Sequence, residues 1–185
     1  MDSLNPFLAK HKEKSDFNQY WYSKATINFM ASECEQFGQK IAFLSTPSIY
    51  FSLKNKEIKA ASRVFDFDTK FNKDPGFVFY DFNKPEDIPA DLHNYFDMVV
   101  IDPPFITREV WEKYATAAKL ILIKEGGKIL LSTIDENEGF IDELLGAKRR
   151  AFRPSIPNLV YQYSLYSNYE SEGLLAKNPE IPDFD

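Results

Sequence analysis

Five short apolar runs constrain the fold of this chain most: residues 40–45, 63–67, 77–80, 96–101 and 128–132. Each is too short to be a buried helix. Within each, apolar residues mostly follow one another rather than alternate, which is the pattern of strands covered on both faces. Helical spacing fills the gaps. Ser23 precedes Ile27, Met30, Ala31, Cys34 and Phe37, which share one face, and Gly38 stands where that helix is expected to end. Thr107 precedes Val110, Tyr114, Ala117 and Ile121 in the same way, with Gly126 and Gly127 ending the stretch. Pro47 predicts a short helix to about Lys54, and residues 136–145 predict another, closed by Gly146. Strands alternating with helices imply an α/β domain built on a mostly parallel, doubly wound sheet. Residues 148–153 and 159–168 read as an antiparallel C-terminal hairpin about the Pro154–Pro157 turn.

The ends carry little pattern. Residues 1–18 read as an N-terminal extension, 19–170 as one domain, and 171–185 as a tail whose last residues, 179–185, are expected to fray. A hydrophobic content of 44% supplies a core and excludes disorder for the bulk of the chain. The 28 acidic residues against 22 basic argue against a protein that grips long nucleic-acid backbones. A single cysteine, Cys34, forms no internal disulfide and reads as a small core residue in a reducing compartment. With only His11 and His93 beside it, no zinc site is expected. No apolar run approaches the ~18 residues of a membrane span, and residues 1–15 lack the apolar segment of a secretory signal, so the cytosol is the expected location.

In doubly wound sheets ligands sit beyond the C-terminal strand ends. That rule singles out Ser45 to Ser48, Asp66 to Asp68, Asp81 and Asp102 to Phe105. Asp102-Pro103-Pro104-Phe105 is the strongest of these. Two prolines cannot continue a central strand, and they stiffen the loop that replaces it. A carboxylate beside a fixed carbonyl can accept both hydrogens of an amine and so aim its lone pair, while an aromatic face holds a flat base or a cationic amine. The plainer reading of the same four residues is a proline turn with a capping aspartate. An acid ending the second strand, Asp66 or Asp68, suits ribose hydroxyls, and Asp81 suits an adenine amine. The first turn, Ser45-Thr46-Pro47-Ser48, lacks the glycines usual where backbone approaches a nucleotide. Gln19-Tyr20-Trp21-Tyr22-Ser23 is either core or a lid, and Lys148-Arg149-Arg150 reads as a solvated face.

Taken together, Gln19 to Ser23, the glycine-free turn Ser45 to Tyr50, Asp66-Phe67-Asp68, Tyr80-Asp81-Phe82-Asn83, Asp102-Pro103-Pro104-Phe105 and Gly127-Lys128-Ile129-Leu130-Leu131 resemble the eukaryotic lysine methyltransferases that modify elongation factor 1-alpha. Members of that family were once named adenine-specific DNA methyltransferases for their Asp-Pro-Pro-aromatic motif. The resemblance implies a single-domain, Rossmann-like class I fold with a seven-stranded sheet, S-adenosyl-L-methionine as cofactor and a protein lysine as acceptor. On that footing Asp102 and the Pro103 carbonyl orient the amine, Pro104 stiffens the loop, and Phe105 with Trp21 or Tyr22 walls the channel. Asp66 or Asp68 holds the ribose, Asp81 the adenine, and Ser45, Pro47 and Ser48 border the methionine end. Many relatives carry Tyr where this chain has Phe105, which can only pack or stack. The rival expectations are methylation of an adenine in DNA or RNA, and a binding module that has kept the fold without the catalysis.

Overall fold

The computed structural model describes residues 4–182. Seven strands form one sheet: β1 Ile41–Leu44, β2 Arg63–Asp66, β3 Phe77–Phe79, β4 Met98–Ile101, β5 Lys128–Ile134, β6 Lys148–Arg149 and β7 Tyr163–Ser167. Their order is β3-β2-β1-β4-β5-β7-β6. Strands β1 to β5 run parallel, with Phe43 opposite Val64 on one side and Val100 on the other. Strand β7 runs antiparallel between β5 and β6.

The helices are α1 Pro6–Lys10, α2 Lys24–Phe37, α3 Pro47–Tyr50, α4 Lys56–Ala61, α5 Arg108–Ile121, α6 Glu138–Leu145 and α7 Glu172–Leu175. The expected caps are in place. Ser23 Oγ accepts from the Thr26 N–H at 3.2 Å, and Thr107 Oγ1 from the Val110 N–H at 3.3 Å. Gly146 closes α6 at φ 62°, a left-handed conformation that favours glycine. Gly38 ends α2 for a different reason. Its φ is −125°, but a Cβ there would meet Ile41 Cγ1 at 2.7 Å.

The continuous apolar runs bury both sheet faces. Ile41, Phe43, Val64, Met98, Val100 and Leu130 pack under α2 and α3, with Ile27, Met30 and Cys34. Ala42, Leu44, Phe65, Val99, Ile101 and Leu131 pack under α5 and α6, with Trp111, Tyr114 and Ile121. Cys34 is fully buried and its thiol pKa is pushed up by that burial, as expected of a core residue. Among the described residues no helix is long and apolar enough to cross a membrane.

Two segments differ from expectation. The helix from Pro47 stops at Tyr50, and Asn55 starts a separate α4 by accepting from the Glu57 and Ile58 N–H groups. The hairpin is shorter: β6 has two residues, β7 begins at Tyr163, and Val160 and Tyr161 are exposed at 92% and 66%. Residues 150–162 instead form a loop stitched to α2 and the tail. Ser155 exchanges hydrogen bonds with Ser23 and Thr26, and Asn178 donates to the Arg153 carbonyl. The basic run lies on an exposed face, as expected, where Arg149 meets Asp135 and Lys148 meets Asp142. Of the end expected to fray, residues 183–185 lie outside the described residues, and Glu180 accepts from the Ser23 hydroxyl at 2.5 Å.

The central ring of β1 tests this packing. Phe43→Ala should lower the free energy of unfolding by about 3–5 kcal/mol in urea titrations. A loss below about 1 kcal/mol would contradict the burial described.

Candidate active site

The C-terminal ends of β1 to β4 open into one cavity of about 310 Å³. All of the residues singled out from the sequence line it: Trp21, Tyr22, Ser45, Pro47, Ser48, Asp66, Asp68, Asp81, Asp102, Pro103, Pro104 and Phe105. The sheet explains the convergence, because parallel strands bring their following loops to the same edge.

The glycine-free turn solves a glycine's problem with a serine. Ser45 stands at φ 60°. That conformation costs a residue with a Cβ about 1–2 kcal/mol. Its N–H donates to the Phe65 carbonyl at 2.9 Å, and its hydroxyl lies 2.7 Å from the Tyr114 hydroxyl. Pro47 then opens α3, and Pro47 and Ser48 are both buried.

Asp66 and Asp68 have different surroundings. Asp66 is 8% exposed, its Oδ1 accepts from the Asp68 N–H at 2.8 Å, and burial raises its pKa to about 7. Both oxygens of Asp68 are engaged. Oδ1 accepts from the Lys70 N–H at 3.0 Å and Lys14 Nζ at 3.2 Å, and Oδ2 from Gln19 Nε2 at 3.0 Å. Burial alone would raise the Asp68 pKa, but these donors and the Lys70 charge outweigh it and hold the carboxyl below its usual range. Asp68 thus fastens residues 14–19 over the cavity. On the other side of that strap, Asn18 donates to the Pro104 carbonyl. Asp81 accepts from the Asn83 N–H at 2.9 Å.

Asp102 follows β4, its N–H donating to the Leu44 carbonyl at 3.2 Å. Its Oδ1 accepts from Ser132 Oγ at 3.4 Å, and burial raises its pKa to about 7 against the opposing pull of the Tyr22 and Ser132 hydroxyls. Pro103 is buried, while Phe105 is half exposed at the mouth. Trp21 is set by the N-terminal segment. Its indole donates to the His11 carbonyl at 3.2 Å and its ring meets Phe7 edge-on. Tyr22 is not at the mouth: it is 2% exposed, with its hydroxyl 2.6 Å from Ser132 Oγ.

Several lining residues were given no role at the site by the sequence. Asn18, Tyr80, Tyr114, Ile156, Leu159 and Tyr163 reach the cavity through tertiary packing. Tyr80 bears on what the cavity holds. It is 3% exposed, and its hydroxyl is buried without a hydrogen-bond partner among the described residues. Such a group is costly unless a ligand satisfies it. A buried hydroxyl beside acids at the ends of β2 and β3 fits the polar edges of an adenosine-bearing cofactor.

Residues 13–171 match the family described as "Probable N6-adenine methyltransferase". The chain belongs to this family. EEF1A lysine methyltransferase 1 of Danio rerio is 37% identical over 164 residues, spanning 83% of this chain and 97% of its own. The Homo sapiens protein of that name is 34% identical over 167 residues, covering 86% and 77%. A Dictyostelium discoideum protein-lysine N-methyltransferase is 35% identical over 176 residues, covering 90% and 82%. Among solved structures, the branched-chain polyamine synthase of Thermus thermophilus superposes with a TM-score of 0.65 at 13% identity, over 86% of this chain and 59% of that one. That likeness concerns the fold alone. The mostly parallel seven-stranded sheet with antiparallel C-terminal strands, expected of a class I methyltransferase, is borne out.

Two substitutions test the cavity. Tyr80→Phe should stabilise the free protein by about 1–2 kcal/mol, because it removes an unpaired buried hydroxyl. It should also shrink the rise in melting temperature produced by S-adenosylmethionine, and an unchanged rise would dismiss Tyr80 as a ligand contact. Asp66→Asn keeps the acceptor for the Asp68 N–H. The Asp66 carboxyl titrates at about 7 in the folded chain and at about 3.9 when unfolded. Between those values the folded state binds more protons, so this residue's contribution falls as pH rises. The Asn variant should therefore match the wild type below about pH 4 and gain up to about 1.4 kcal/mol per pH unit towards pH 7. Melting curves across that range measure the gain.

Proposed function

We propose that this chain is an S-adenosylmethionine-dependent protein-lysine N-methyltransferase acting on translation elongation factor 1-alpha. The observation that carries the reading is Asp102-Pro103-Pro104-Phe105 at the cavity, in a chain whose relatives over most of their length are named EEF1A lysine methyltransferases. The cytosol, where translation takes place, is the compartment this reading assigns.

When bound, S-adenosylmethionine supplies an electrophilic methyl group on a sulfonium sulfur. Asp66 and Asp81 would hold the ribose and adenine edges, Ser45, Pro47 and Ser48 the methionine end, while Asp68 secures the strap. An incoming lysine amine has a pKa of about 10.4 in water and must reach the site neutral. A mouth walled by Phe105 and Trp21 disfavours the ammonium form by desolvation. The Asp102 carboxylate and the Pro103 carbonyl then accept the two N–H groups and aim the lone pair into the cavity. Alignment of this kind, rather than a strong base, accounts for much of the rate.

Transfer to an adenine amine is the second reading, favoured by the matching family's designation as a probable N6-adenine methyltransferase. Against it stand a net charge of −6 and acidic side chains, Asp16 and Asp81, lining the cavity where phosphates would approach.

The deciding assay offers labelled S-adenosylmethionine with purified elongation factor 1-alpha and, separately, duplex and single-stranded DNA. Label should appear on the protein and fall by at least about 100-fold in Asp102→Ala. The rate should rise with pH through about 7 as Asp102 ionises. Label on DNA alone would replace the lysine reading with the adenine one, and full activity of Asp102→Ala would remove Asp102 from the mechanism.

A further inference from the structure

The Asp102 carboxyl sits in an unusual place. The groups acting on its charge are hydroxyls and not cations: Tyr22, just ahead of α2, and Ser132, on β5. Ser132 Oγ donates to Asp102 Oδ1 at 3.4 Å, and its hydrogen is thereby used. The Tyr22 hydroxyl lies 2.6 Å from Ser132 Oγ and is itself a hydrogen-bond partner of the carboxylate. The result is a linked pair of hydroxyls beneath the carboxylate. Both hydroxyls are carried by anchored backbone. The Ser132 backbone pairs with Leu165 on β7, and Tyr22 immediately precedes Ser23, whose N–H donates to the Ser155 carbonyl at 2.8 Å. Two more phenols face the carboxylate electrostatically, Tyr163 from β7 and Tyr114 from α5, and the Tyr114 hydroxyl is committed to Ser45.

We propose that Tyr22 and Ser132 are positioning residues for the transfer, a hydroxyl pair beneath the site that keeps the Asp102 carboxylate ionised and turned towards the acceptor amine. This assigns Tyr22 a role under the reaction centre instead of the wall or lid suggested by its aromatic neighbours. The inference rests on the reading of Asp102 given above. Hydrogen bonds to the charged form favour that form. Removing either hydroxyl should therefore leave the carboxylate more easily protonated without touching the cofactor contacts.

The test compares wild type, Tyr22→Phe and Ser132→Ala, with Asp102→Ala as control. Carbon NMR of isotope-labelled aspartate carboxyls follows Asp102 directly, its signal identified by its loss in Asp102→Ala. The titration midpoint should move up by about one pH unit in either variant. In methyl transfer to elongation factor 1-alpha at saturating substrates, wild type should exceed the variant about fivefold at pH 7 and less than about twofold at pH 9.5. Cofactor Kd by calorimetry should stay within about threefold. An unmoved Asp102 midpoint, a rate ratio that does not change with pH, or a Kd that weakens as much as the rate would each overturn the proposal. Ser132→Ala removes only one oxygen and carries the test by itself should Tyr22→Phe misfold. A fully active Asp102→Ala would sink the lysine mechanism itself. An inactive Asp102→Ala with an unmoved midpoint in the other variants would sink only this inference.

Discussion

Burying adjoining strands on both faces leaves their ends as the places where charge can be kept. β1 and β4 are fully covered along their length, and β2 and β5 nearly so. A carboxylate in the middle of such a strand would lose its hydration with nothing to replace it. Asp66 ends β2, Asp81 follows β3 and Asp102 follows β4. The same packing that makes the core therefore gathers three acids around one cavity. Their separate characters come from what each meets there: Asp68 next door is surrounded by donors and cations, whereas Asp66 and Asp102 are pushed towards neutrality by burial.

Hydroxyls do much of the polar work in this site. Ser45 with Tyr114, and Ser132 with Tyr22, form two short pairs on either side of the β4 end. A hydroxyl can donate and accept at once, so it can satisfy a buried carboxylate without bringing in another full charge. That economy suits the proposed site, where a resident lysine or arginine would repel a cationic sulfonium. It also explains why the first turn manages without glycine. The Ser45 hydroxyl gains a partner that a glycine could not have, at the cost of a left-handed backbone.

The five apolar runs, the capping serine and threonine and the loop at Asp102 were legible because each is a local pattern. The glycine-free turn was legible only through resemblance. What lay beyond reach depended on partners distant in the chain. Nothing near Tyr22 announces that it meets Ser132, 110 residues later. Aromatic clustering at 19–23 suggested a wall, yet only Tyr20 and Trp21 stay near the surface while Tyr22 turns inward. The alternation at 159–162 suggested a strand, but those residues found no partner strand because the preceding loop is tied to Ser23, Thr26 and Asn178 instead. Asp66, slightly favoured because it ends the apolar run, and Asp68 were set apart by the strap that comes back from residues 14–19 and by Lys70.

The lone thiol has a practical corollary. Cys34 sits wholly inside the layer between α2 and the sheet, and its burial keeps it protonated, so the folded chain offers a thiol reagent no reactive sulfur. Alkylation then requires α2 to lift from the sheet. The rate of labelling at low reagent concentration would gauge that opening, reporting the free energy of one structural layer without any engineered probe.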